Sequence, residues 1–131
     1  MKYWIQHSNF KSDEYEDISC SEAISIFKKH NWSHEAEILK QLEQEGKENC
    51  PFGIGFVSDE MGILHICPNS DKNATCFFHQ NIVDKFLGFI PITKQKTYDA
   101  LNIPLQRIPN MIEDFFNKKV ENLKRIKSYY F

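Results

Sequence analysis

The sequence predicts a single α+β domain, a small antiparallel sheet flanked by helices. Three observations lead there. Two short β-type runs, GIGFV at 53–57 and GILHIC at 62–67, are joined by a polar turn. Two capped amphipathic segments precede them, and a long one follows near the C-terminus. No internal repeat or low-complexity linker divides the 131 residues. A chain of that length suits one domain and can bury roughly two thirds of its unfolded surface.

The elements follow in order. Residues 2–7, KYWIQH, favour a first strand, and an acidic loop comes after it. Ser19 and Glu22 have the spacing of a capping box, with Ala23, Ile24 and Phe27 at helical intervals behind them, so a helix is expected near 20–30. Asn31 and Trp32 break that pattern. Ser33 can cap a second helix whose stripe is Ile38, Leu39 and Leu42, and Gly46 is its natural stop. Gly53 and Gly55 alternate with Ile54 and Phe56, which suggests a bulge or a close approach to the backbone. Residues 68–74 read as a loop and TCFFH (75–79) as a third strand. A short helix is expected over 81–87, an extended edge segment over 88–93, and a helical turn in TYDALNIP before Pro104. Residues 109–127 carry the strongest helical pattern: Pro109 suits the first turn, and Met111, Ile112, Phe115, Phe116, Val120, Leu123 and Ile126 draw one apolar stripe.

Composition narrows the function classes. The chain has no apolar run of the ~18 residues a membrane helix needs and no secretory leader pattern, so a cytoplasmic protein with reduced thiols is expected. Eleven Phe imply an aromatic core. The net charge of −2 hides a polarity: residues 1–60 carry 12 acidic and 6 basic side chains, and residues 61–131 carry 6 acidic and 10 basic. Neither a phosphate-binding glycine loop nor a nucleophile elbow nor a zinc-protease helix is present.

Four constellations bear on chemistry. Cys50, His65, Cys67, Cys76 and His79 lie within one short stretch. His65 and Cys67 would share a strand face, so H-x-C and C-x-x-H pairs are candidate zinc ligands. Buried free thiols in an apolar core account for the same residues, and the expectation is no metal and no cofactor. The same block contains possible Cys–His dyads, Cys50 with His65 or Cys76 with His79, which would need an electropositive, partly exposed thiol. The basic run Lys118, Lys119, Lys124, Arg125 and Lys127, followed by Tyr129 and Tyr130, resembles a phosphate-tracking face. Glu113, Asp114 and Glu121 dilute it, so a solvated helix face is the expectation and direct nucleic-acid binding is not. Finally, Asp13, Glu14, Glu16 and Asp17 surround Tyr15, with Trp32 and Glu35 at the second helix. That set is the expected surface for a basic protein partner, because aromatic anchors ringed by charge give both contact area and electrostatic steering.

Length, the Phe/Lys/Asn/Ile-rich character, the uneven charge map and strings such as N-W-S-H-E at 31–35 and C-P-F-G-I-G-F-V at 50–57 are similar to the immunity proteins of bacterial competition systems. These are small single-domain antitoxins. The resemblance implies a non-enzymatic, stoichiometric inhibitor that occludes a cognate toxin's active site or surface. The alternative from the residues themselves is a small metal-binding or Cys/His-dependent enzyme built on the 50–79 block.

Overall fold

The computed structural model describes the backbone of residues 1–131 and every side chain except those of Asp84 and Phe86. Six antiparallel strands form one sheet in the order β2-β1-β3-β4-β5-β6. They are β1 (Lys2–Gln6), β2 (Ser12–Tyr15), β3 (Gly53–Ser58), β4 (Gly62–Pro68), β5 (Asn73–Phe86) and β6 (Ile90–Pro104). The helices are α1 (Cys20–Lys29), α2 (Trp32–Gln44), α3 (Ile108–Phe116) and α4 (Val120–Lys124). This is the α+β domain that the sequence predicts.

Alternation along the strands divides the sheet into two faces. One face is covered by helices. Ile54, Phe56, Leu64, Ile66, Cys76 and Phe78 lie on it and are fully buried. Against them pack Met111, Ile112 and Phe115 of α3 and Leu123 of α4, as the apolar stripe predicts. Phe115 meets Phe78 edge-on at 6.3 Å, a favourable aromatic geometry. The other face carries Trp4, Gly55, His65 and Phe77 and is only partly covered.

The first helix forms as its sequence dictates. Ser19 accepts from the Glu22 amide at 3.2 Å, and Glu22 returns a bond to the Ser19 amide at 3.3 Å, completing the capping box. For α2 the cap is Asn31, whose side chain accepts from the His34 amide at 3.0 Å; Ser33 lies inside the helix. Asn31 takes the cap in place of Ser33 because the helix begins at Trp32, so the first amides without intrahelical partners lie two residues earlier than expected. Gly46 follows with φ +68°, the left-handed stop expected of it.

Four further expectations are corrected. The acidic loop is in part a strand, β2, because Ser12–Tyr15 pairs with β1, with Tyr3 opposite Tyr15. The helix expected over 81–87 and the helical turn at TYDALNIP are both strand. Ile82 and Val83 are β-branched, and Tyr98 and Ala100 pair opposite Phe78 and Cys76, so sheet pairing overrides a weak helical pattern. The extended edge segment expected over 88–93 is, by contrast, borne out from Ile90, where the edge strand β6 begins after the turn Leu87–Phe89. The long C-terminal helix breaks at Asn117–Lys119, where Lys118 adopts φ +57°. The break re-aims the apolar stripe so that Leu123, Ile126 and Tyr129 also reach the core.

β5 and β6 continue past the end of β4 as a two-stranded arm. Val83, Leu87 and Phe89 near its tip are more than two thirds exposed. At the other end of β6, the Tyr130 hydroxyl donates to the Leu101 carbonyl and occupies part of that edge. No helix among the described residues is long and apolar enough to cross a membrane.

Candidate functional site

The residues singled out by sequence separate into three places. The first is the acidic sheet edge. All four residues of β2 are exposed, and Glu16 and Asp17 continue the exposed run. Tyr15 stacks on Tyr3 with centroids 4.7 Å apart, and Lys2 pairs with Glu16 at 3.6 Å on the surface. The edge is therefore an acidic strip that carries one stacked tyrosine pair.

Asp13 and Glu35 have an internal role as well. His7, just after β1, places Nε2 at 2.8 Å from Asp13 Oδ2 and Nδ1 at 2.7 Å from Glu35 Oε1. His30 Nε2 reaches the same Glu35 oxygen at 3.2 Å. Both His7 nitrogens face carboxylates, so both can donate only when the ring is an imidazolium. The Asp13 hydrogen bond is the largest cause that raises the His7 pKa; burial opposes it, and Glu35 adds to it. Glu35 is 4% exposed, which removes it from any direct partner contact. Burying that carboxylate is tolerable because two histidines face it. Sequence reasoning missed His7 and His30: they stand 28 and 5 residues from Glu35, and linear spacing carries no sign of the first pairing.

The second place is a cleft of about 810 Å³ between α2 and the end of the sheet. Trp32, Phe52, Phe77 and Leu39 form apolar walls, and Glu43 and Asp71 contribute the acidic groups. Trp32 is fixed by its indole N–H, which donates to the Phe27 carbonyl at 2.9 Å, and by stacking on Phe52. Among the described residues no lysine or arginine lines the cleft. The α2 stripe explains it: Ile38, Leu39 and Leu42 are half-buried, because α2 stands off the sheet rather than packing on it.

The third is the Cys/His block, which the strands pull apart. His65 and Cys67 share a face as expected, with Sγ 3.3 Å from Nε2. Cys76, three residues before His79, points to the opposite side, into the core. His79 instead bonds the Thr97 hydroxyl at 2.8 Å, and Cys50 donates to the His7 carbonyl at 3.2 Å. The described residues bring together no group of three or more His, Cys, Asp or Glu that could hold a metal ion. Burial pushes the Cys67 thiol up to about 11 and the Cys76 thiol to about 12, so both are protonated at neutral pH and neither is an activated nucleophile there. All four cysteines are free thiols.

The basic C-terminal run divides: Lys124, Arg125 and Lys127 line one hollow with Asp99 of β6, and Lys118 is not among them. Lys118 pairs with Glu60 at 2.6 Å, Lys124 with Glu121 at 3.6 Å, and Tyr129 donates to Asp114 from a buried position.

Comparison with known proteins adds no identity: the chain matches no family model, no curated protein and no solved structure.

Proposed function

We propose that this chain is a stoichiometric protein-binding inhibitor of the immunity-protein kind, neutralising a cognate toxin by covering its active site or surface. The observation that carries the reading is the β2 edge. A short strand with every side chain in solvent, two of its four residues acidic and two more carboxylates directly after it, terminates the sheet. Long-range attraction from such an edge accelerates encounter with a basic partner, such as a toxin domain that acts on nucleic acid.

The experiment is kinetic. The wild-type chain captures its partner from the native cell, and association is then followed with Glu14, Glu16 and Asp17 reversed to lysine. Asp13 is left in place because it holds His7. The expected result is association slowed by ten-fold or more, with the wild-type rate falling similarly as salt shortens the screening length below about 8 Å. A rate unchanged by both the reversal and salt removes this edge from the interface.

A further inference from the structure

One cross-strand row on the partly covered face spans the whole sheet. The strand registers place Glu14 opposite Trp4, Trp4 opposite Gly55, Gly55 opposite His65, His65 opposite Phe77, and Phe77 opposite Asp99. Residues opposite one another in antiparallel strands project from the same face. The row thus crosses all six strands, with aromatic rings in the middle and a carboxylate on each edge strand. At the usual strand separation it is about 24 Å long, the reach of an extended segment of about seven residues.

The rings form a continuous strip. Trp4 lies flat over Gly55, where any Cβ would collide with the indole. Its centroid is 5.7 Å from His65, His65 is 5.9 Å from Phe77, and Phe77 stacks on His79 at 6.1 Å and 6°. Trp4, His65, Phe77 and His79 are all half-buried, so each presents ring surface to solvent. Burial, with His79 adding to it, holds the His65 imidazole below its ordinary value, so the middle of the strip carries no fixed positive charge at neutral pH. In the neighbouring row the cation is Lys2, already paired with Glu16. At one end the strip runs into the cleft through Phe77, and the cleft's charged groups are Glu43 and Asp71.

We infer that this face is the recognition surface for a basic, arginine-bearing polypeptide segment, laid across the strands with guanidinium groups on Trp4 and Phe77 and ion-paired at Glu14 and Asp99. The inference rests on the protein-binding reading and moves the contact from the edge alone onto the sheet face. Arginine fits because its planar cation stacks on an aromatic face while its N–H fork pairs with a carboxylate. A single-stranded nucleic acid also stacks on aromatic strips of antiparallel sheets, but it needs cations for its phosphates. Here both ends of the row are carboxylates, Glu14 and Asp99, and the cations that share a hollow with Asp99, namely Lys124, Arg125 and Lys127, sit at the β6 end only.

The test uses the full chain in a Trp32→Phe background, so that Trp4 is the one indole, with a hexa-arginine peptide and a dodecauridine RNA as separate probes. The expected result is a saturable change in Trp4 fluorescence with the peptide and none with the RNA. Peptide-induced NMR shifts should concentrate on Trp4, His65 and Phe77. Asp99→Lys, on the exposed edge opposite β2, should weaken peptide binding about ten-fold without altering the fold. Trp4→Ala, read by NMR, should weaken it by a similar factor. An unmoved Trp4, shifts spread over the whole surface, or an Asp99→Lys variant that binds as wild type overturns the proposal. Trp4 responding to RNA instead of peptide overturns it in favour of nucleic acid. A captured partner that is lost on reversing Glu16 and Asp17, yet binds Asp99→Lys and Trp4→Ala at full strength, leaves the inhibitor reading standing and removes the face.

Discussion

The two faces of one sheet are built from alternate residues of the same strands, and they differ in almost every physical respect. The helix-covered face is aliphatic and aromatic, and its central residues have no solvent exposure. The other face uses Gly53 and Gly55 where the first uses Ile54 and Phe56, and its rings are only half-buried. Volume on one side holds the domain together; absence of volume on the other lets a tryptophan lie flat on the backbone. The comparison teaches that the residues that hold this fold together and the surface we propose for contact lie on opposite sides of the same segments. A change on one side should therefore leave the other nearly untouched.

The largest expected effect tests that division directly. Phe115→Ala removes a ring wedged against Phe78 and should cost about 3–5 kcal/mol in denaturant unfolding. Phe77→Ala, one residue away from Phe78 but on the open face, should cost only about 1 kcal/mol, since its ring is only partly buried. Equal losses would break the comparison.

Gly55→Val comes next. Any Cβ there meets the Trp4 indole, so the ring must lift from the sheet at a cost of about 1–3 kcal/mol, accompanied by a shift in tryptophan emission. The covered face should keep its packing, visible as unchanged NMR shifts at Phe78 and Phe115. Among residues legible in the sequence, the glycines were half readable. Their alternation with Ile54 and Phe56 signalled a close approach, but the approaching group is the Trp4 indole, from a strand at the other end of a long excursion, which no local pattern encodes. Readability failed for the same reason at His7 and Glu35, whose contact depends on β1 and α2 meeting in space. It held where the determinant was local, as at the Ser19–Glu22 box and the Phe115 stripe. It failed again over 81–87 and 97–104, where pairing between two strands decides a state that neither segment settles alone.

A smaller effect sharpens the comparison at its margin, where the His7 cluster ties the sheet edge to α2. The folded-state pKa of His7 is raised, so its contribution to stability is complete below the unfolded value of about 6.5 and is lost as pH rises through the folded value. His65 is shifted the other way, so its contribution increases with pH across the same region. The difference between wild type and His7→Gln isolates the first slope: the stabilisation removed by the substitution should be greatest at pH 5 and shrink toward pH 9. A difference that is flat or grows with pH would mean that the imidazolium is not what Asp13 and Glu35 hold. The smallest effect belongs to the surface. Lys118→Ala breaks an ion pair with Glu60 whose partners are both well exposed, and should change stability by less than about 1 kcal/mol.

The order of the strands carries one more consequence, for how the domain is made. Four of the five strand pairings join neighbours in sequence, so β3 through β6 can form as successive hairpins with short loops. The pairing of β1 with β3 is different, because it must close the long excursion through β2, α1 and α2. Closing a long loop is entropically the most expensive contact and is made late. The C-terminal meander is thus the scaffold that the N-terminal hairpin joins, and the hairpin is the natural unit to detach again by local opening. Amide protons of β1 should exchange at a lower opening free energy than those of β4, which has a partner from the meander on both sides.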